Sequence, residues 1–200
     1  MSTSSYTEDQ RDCLQEVCNI AMGRAGDALA RQFGTFIKLS IPAVTILSAD
    51  EASELLQHYK PCIYTAGALN EPVEGEPDAE LSGLGAVIFS ESTLDELSSL
   101  VKDQISQQGL ITATSRLLAR NCLEAMSELI KTDVKCQPFK LVESDQADAA
   151  WVRYTSDWSR VLMVDINYQM ENREFKGDLL LLFPDEAIDA MEKRLNELVF

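Results

Sequence analysis

The stretch DCLQEVCNIAMGRAGDALARQFGTFIKLSIP, Asp12 to Pro42, decides how this 200-residue chain is read. Leu14, Val17, Ala21, Ala25 and Ala28 recur at spacings of 3 and 4, the signature of a helix with one apolar face. At ~100° per residue those five share one side, while Asp12, Glu16 and Asn19 fall opposite them within an arc of roughly 60°. Gly23 and Gly26 lie on the same outer side. Asn is a weak helix former, and Gly costs about 1 kcal/mol against Ala in a helix interior. Two carboxylates, a carboxamide and two bare positions therefore fit a face kept open for a partner. Taken alone, a solvated face carrying a few weak residues also accounts for the pattern.

The spacing of the polar residues adds information. Asp12-x3-Glu16-x2-Asn19, with 22 residues between Asn19 and Pro42, resembles the signature of the CheC/CheX/FliY family of chemotaxis phosphatases. Its nearest likeness is to CheC-like members. The run NIAMGRAGDAL is similar to that family's Asn-Ile-x-x-Gly-x-Ala-x-x-Ala-Leu helix. Cys18 departs from it, because the family often has Gly there. The resemblance implies a hydrolase that removes the phosphoryl group from an aspartate of a response regulator, CheY. By that resemblance Glu16 pairs with a lysine of the receiver and Asn19 orients the attacking water. Asp12 and Pro42 would support the geometry. The implied partner is a phosphorylated CheY-like receiver, with room for another chemotaxis protein such as CheD. No cofactor is expected on this chain, because the Mg²⁺ would sit on the receiver.

Composition bounds the rest. A chain with 46% hydrophobic residues is globular and long enough for one well-buried domain. A net charge of −16 argues against nucleic acid, which needs clustered Lys and Arg, and against an anionic membrane surface. Five cysteines, Cys13, Cys18, Cys62, Cys122 and Cys136, contain no Cys-x-x-Cys pair. With His58 the one histidine, they point to reduced, semi-buried thiols rather than a zinc site. The beginning, MSTSSYTEDQ, has no secretory pattern, and no apolar run reaches ~18 residues. The expectation is a cytoplasmic protein without membrane insertion.

Along the chain, Thr7 is an N-cap candidate and Gly34 a helix stop. Thr35–Leu47 reads as a strand interrupted at Pro42, which belongs at an edge or a bulge because proline donates no ladder bond. Ser48–Tyr59 reads as a short helix, Cys62–Leu69 and Leu81–Phe89 as strands, and NEPVEGEPDAE as the acidic loop between them. Ser92–Gln104 is an amphipathic helix. Gln108–Thr132 is a second long helix, with Leu118, Cys122, Ala125, Met126 and Leu129 as its stripe. Lys135–Val142 is expected as a strand containing Pro138, and Ser144–Val152 as a short helix. Arg160–Met170 and Phe175–Phe183 are strands, and Pro184–Val199 is a closing helix.

This order occurs twice, and so does some of the text. GLGAVIFSESTLDEL, from Gly83, matches GDLLLLFPDEAIDAM, from Gly177, at an offset of 94, with Phe89 on Phe183 and Leu94 on Ile188. Pro42 and Pro138 stand 96 apart. The expected fold is α+β: two duplicated helix-strand-helix-strand-strand-helix halves, about 8–104 and 108–200, around a shared sheet in one pseudo-twofold, CheC-like domain 1–200. A shift of 96 carries Asp12, Glu16 and Asn19 to Gln108, Thr112 and Ser115. A shift of 97 carries them to Gly109, Ala113 and Arg116. Neither set restores the acid-and-amide pair, so one site per chain is expected.

Two other classes of function remain beside the phosphatase. One is a non-catalytic CheC-like module that docks a signalling partner. The other is a hydrolase of a small substrate, disfavoured because the chain has no G-x-S-x-G, no P-loop and a single histidine. His58, Trp151 and Trp158 read as surface or packing residues.

Overall fold

The computed structural model describes residues 6–57, 63–69, 81–90, 92–100, 106–134, 137–142, 155 and 157–198. The acidic loop at 70–80, the segment expected as a helix at 144–152, His58, Cys62, Cys136 and Trp151 lie outside the described residues.

The first helix, α1 (Glu8–Phe33), begins and ends as its sequence requires. The Thr7 hydroxyl accepts from the Gln10 amide at 3.2 Å, and the Gln10 side chain accepts from the Thr7 amide at 2.6 Å. This closes a capping box, in which two otherwise unpaired amides are satisfied reciprocally. Gly34 ends the helix at φ 62°, a left-handed conformation that glycine adopts without steric cost.

Strands β1 (Ile37–Leu39) and β2 (Ala43–Ser48) follow, then α2 (Ala49–Gln57), β3 (Ile63–Leu69), β4 (Gly83–Phe89) and α3 (Ser92–Leu100). The second half supplies α4 (Gln107–Ile130), β5 (Lys140–Val142), β6 (Arg160–Met170), β7 (Lys176–Phe183) and a closing helix, α5 (Asp185–Leu198). Of the strand expected at Lys135–Val142, Lys135 and Cys136 lie outside the described residues. The Gln137 amide donates to the Ala68 carbonyl of β3 at 2.9 Å, Pro138 has no amide to donate, and the paired register with β3 runs from Lys140.

All seven strands form one antiparallel sheet in the order β1-β6-β7-β4-β3-β5, with β2 also on β6. The order is palindromic in the two halves. β4 and β7 meet at the centre, β3 and β6 flank them, and each half's leading strand pairs with the other half. Ala86 lies opposite Leu180, and 94 positions separate the two, the offset of the repeated text. A strand residue that faces its own counterpart marks where a twofold axis would pass.

Alternation along the strands sorts the core into two layers. Leu162, Val164, Ile166 and Tyr168 of β6 join Leu179, Leu181 and Phe183 of β7 beneath α1, α4 and α5. Val161, Met163, Leu180 and Leu182 point to the other face, where Ala52 of α2 and Trp158 pack. The run LLLLF is apolar at every position because β7 is covered on both sides. Its neighbour needs glycine: a Cβ on Gly83 would lie 2.3 Å from the Leu182 carbonyl oxygen.

Cys18 and Cys122 are buried at the α1–α4 layer as free thiols, and burial pushes Cys18 up to about 12. No helix among the described residues is long and apolar enough to cross a membrane.

Candidate functional site

The outer face of α1 emerges from burial of the opposite one. Leu14, Val17, Cys18, Ala21, Ala25 and Leu29 are buried against α4 and the sheet. That fixes the helix rotation and turns Asp12 and Glu16 into solvent, with Asn19 half-buried beside them. Among the described residues, none of these three side chains has a hydrogen bond or an ion pair within the protein. An acid and an amide three residues apart point the same way, free to be used by something else.

Pro42 joins this face indirectly. Leu39 pairs with Tyr168 and Ala43 with Asp165, so four steps on the outer arm match three on β6. One extra residue is accommodated around Ser40–Pro42, a bulge at the sheet edge where proline is tolerated. The Pro42 carbonyl then accepts from the Gln15 side chain, which clamps the bulge to the helix. Gln15 is a residue of this candidate face that the motif did not single out. No helix-spacing rule foretells a contact 27 positions away.

Gly26 corrects the sequence expectation. It does not lie open beside Gly23. A Cβ there would meet Leu39 at 3.0 Å, so Gly26 is the seat for β1, and only Gly23, with nothing within 4 Å, is bare to solvent.

The second half differs in chemistry. Burial along α4 follows α1 at a shift of 97: Ile111, Ser115, Leu118 and Met126 are buried as Leu14, Cys18, Ala21 and Leu29 are. Asp12, Glu16 and Asn19 therefore correspond to Gly109, Ala113 and Arg116. Ser115, the other candidate counterpart of Asn19, is buried, accepting from Thr65 at 2.7 Å and donating to the Ile111 carbonyl at 2.8 Å. Asn121 and Glu124, elsewhere on α4, are engaged, and its other acid, Glu128, pairs with Arg24. Asn121 donates to the Leu117 carbonyl at 2.8 Å, and Glu124 accepts from Arg120 at 2.7 Å. Arg116 and Arg120 instead line a cleft of about 440 Å³ with Asp133, Gln137 and Phe139.

No family model matches the sequence, and no curated protein sequence does either. Solved structures match the fold. The chain superposes on FliY of Thermotoga maritima with a TM-score of 0.69 at 16% identity, covering 96% of this chain and 98% of that one. It matches the FliM middle domain from H. pylori with a TM-score of 0.63 at 10% identity, over 94% and 99% of the two chains. It also matches a CheX-CheY-BeF3-Mg²⁺ complex from Borrelia burgdorferi, with a TM-score of 0.50 at 10% identity, over 84% and 98%. At these identities the likeness establishes the architecture, which is the one expected from Asp12–Pro42.

Proposed function

We propose that this chain is a CheC-like chemotaxis phosphatase that hydrolyses the aspartyl phosphate of a CheY-like receiver. The observation that carries the proposal is the outward-facing pair Glu16 and Asn19, unpaired among the described residues and backed by a helix whose rotation is fixed by its buried face. Hydrolysis of an acyl phosphate needs in-line attack by water while charge spreads over the phosphoryl oxygens. A carboxamide suits that water, because it offers an acceptor and donors and remains uncharged beside phosphate. A carboxylate in the same place would repel the phosphoryl oxygens. Glu16, three residues earlier, can take a lysine of the receiver and set the register. Asp12 extends the same acidic face toward the partner, and Pro42, through Gln15, holds the neighbouring loop. Mg²⁺ enters as part of the receiver, and this chain supplies position rather than a metal.

A second assignment has its own support. The FliM middle domain shares the fold, one matched structure is a FliG-FliM complex, and α4 here has no acid-and-amide pair at the positions matching Glu16 and Asn19. A docking module that binds without hydrolysis would keep the same surface. The deciding experiment incubates the protein with phosphorylated receivers from its own genome and follows phosphate release. Release faster than the spontaneous rate supports the phosphatase. Saturable binding with only spontaneous release would replace it with the docking module.

A further inference from the structure

The cleft beside α4 has no part in the chemistry at Glu16 and Asn19. It measures about 440 Å³, within the range of small-molecule sites. Its floor is apolar, formed by Ala119 and Leu123 of α4 with Val134 and Phe139, all four buried. Its rim is polar, with Arg116, Arg120 and Glu124 on the helix and Asp133 and Gln137 from the chain that follows. The rim charges are unevenly matched. Glu124 accepts from Arg120 Nε at 2.7 Å, and Asp133 is engaged as well. Arg116 is exposed and has no hydrogen bond or ion pair among the described residues. That stands out in a chain where Asp and Glu outnumber Lys and Arg by 33 to 17. Arg24, Arg31, Arg120, Arg160, Arg173 and Arg194 each hold a carboxylate. Of the described arginines, Arg11 alone shares the freedom of Arg116, and it does not line this cleft.

We propose that this cleft is a second ligand site, for a small amphipathic anion whose carboxylate or phosphate sits on the Arg116 guanidinium and whose apolar body lies along the floor. The site is independent of the phosphatase assignment. Its chemistry follows from the groups present. A guanidinium offers parallel N–H donors that match two oxygens of a carboxylate or phosphate, and it accepts nothing. Arg120 lies one turn further on and keeps its terminal N–H groups for the same oxygens, because it meets Glu124 through Nε. A cationic ligand would find both rim acids already engaged, and a neutral one would gain only the floor. The net charge of −16 repels anions at long range, but at physiological salt that field is screened beyond ~8 Å, so the contact itself decides. The shift of 97 places Arg116 where α1 has Asn19. The amide can both accept from a water and donate to it, whereas Arg116 can only donate. This half therefore holds an anion without activating water.

The test titrates phenyl phosphate and phenylacetate, separately, into isotope-labelled protein at physiological salt and follows the backbone amide shifts by NMR. Inorganic phosphate and benzyl alcohol probe the head and the body alone. At least one aromatic anion is expected to give saturable shifts along 116–124 of α4 and at Val134 and Phe139, with a dissociation constant on the order of 1 mM or tighter. The tighter of the two identifies the head group. Arg116→Gln should weaken binding by roughly tenfold or more, and Arg11→Gln, at the other unpaired arginine, should leave it unchanged. Both positions are exposed, so both variants are expected to fold, and the spectrum of each free variant checks that. The site is overturned if neither aromatic anion gives saturable shifts, or if the shifts centre on Asp12–Asn19 instead. It is equally overturned if Arg116→Gln binds as wild type does, if Arg11→Gln shows the same loss, or if inorganic phosphate or benzyl alcohol binds as tightly as the aromatic anions.

Discussion

Tyr168 offers a sharp energetic test of the core. It lies on β6, fully buried beneath the helices, and its hydroxyl has no hydrogen-bond partner among the described residues. Burial, and then the Cys122 and Cys18 thiols nearby, push its pKa far upward, so the hydroxyl stays neutral and simply bears its desolvation. A buried hydroxyl without a partner costs about 1–3 kcal/mol. Tyr168→Phe removes that cost and leaves a gap of one oxygen atom, on the order of 10 Å³, worth only ~0.2 kcal/mol at the cavity coefficient. The net expectation is a gain of about 1–2 kcal/mol. For a domain of this size that is a rise in Tm of about 2–8 °C, read by calorimetry at fixed pH. Tyr6→Phe is the internal contrast, because the Tyr6 hydroxyl donates to the Ile188 carbonyl at 3.1 Å, and its loss should lower stability by ~1 kcal/mol. A Tyr168→Phe variant that melts at or below the wild-type temperature would refute the reasoning.

Other expectations concern charge and catalysis. Burial, reinforced by Asp165, raises Asp178 from 3.8 to about 6, so the folded state holds this proton more tightly than the unfolded chain. The stability contributed is full below about pH 4 and lost as pH rises through 6. Asp178→Asn, which keeps an acceptor for Asn167, should match wild type at pH 3.5 and exceed it by ~1 kcal/mol at pH 7.5 after allowance for partial solvation; equal denaturation midpoints at pH 7.5 would count against it. Asn19→Ala should cut phosphate release at least about 100-fold with receiver affinity retained, and an unchanged rate in the folded variant would remove Asn19 from the chemistry. Glu16→Lys should weaken docking at low salt, while Glu16→Ala/Asn19→Ala should leave no turnover; residual release that maps to Asn121 or Glu124 would show a second active half. A crystal structure should superpose 8–104 on 108–200 about a pseudo-twofold axis, and unrelated topologies would overturn the duplication.

The sequence made some of this plain for physical reasons. Capping residues act locally, so Thr7 and Gly34 announce both ends of α1. A period of 3.6 marks a buried stripe, and the helix needs only that stripe to orient Glu16 and Asn19. The 94-residue offset survives because matched strands face matched layers. What stayed hidden depends on distant contacts. Gly26 looks bare in a helical projection and is occupied only because Leu39 returns to it. Gln15 looks like an ordinary helix former until the bulge at Pro42 brings a carbonyl to it. Pro138 interrupts the strand read at Lys135–Val142, whose paired register with β3 runs from Lys140, and the choice between Ser115 and Arg116 as the counterpart of Asn19 needed burial to decide it.

The exchange of leading strands between halves has a consequence for how the protein comes into being. The candidate residues Asp12, Glu16, Asn19 and Pro42 lie within the first 42 positions, yet β1 and β2 find their strand partner in β6, with Ile37 opposite Met170 and Ser48 opposite Arg160. Gln10 waits still longer, for Asn196 on α5 at 2.9 Å. At ~5–20 residues per second, synthesis separates α1 from the strand that seats its neighbouring loop by on the order of 10 s. For that interval the nascent chain carries an apolar helical stripe with no sheet to cover it. Pairings this distant also slow folding, because loop closure must precede any gain from contact. A ribosome that stops before residue 160 releases a chain holding Glu16 and Asn19 without the strand on which β1 and β2 seat, so the surroundings of that face are completed only after β6 has been made.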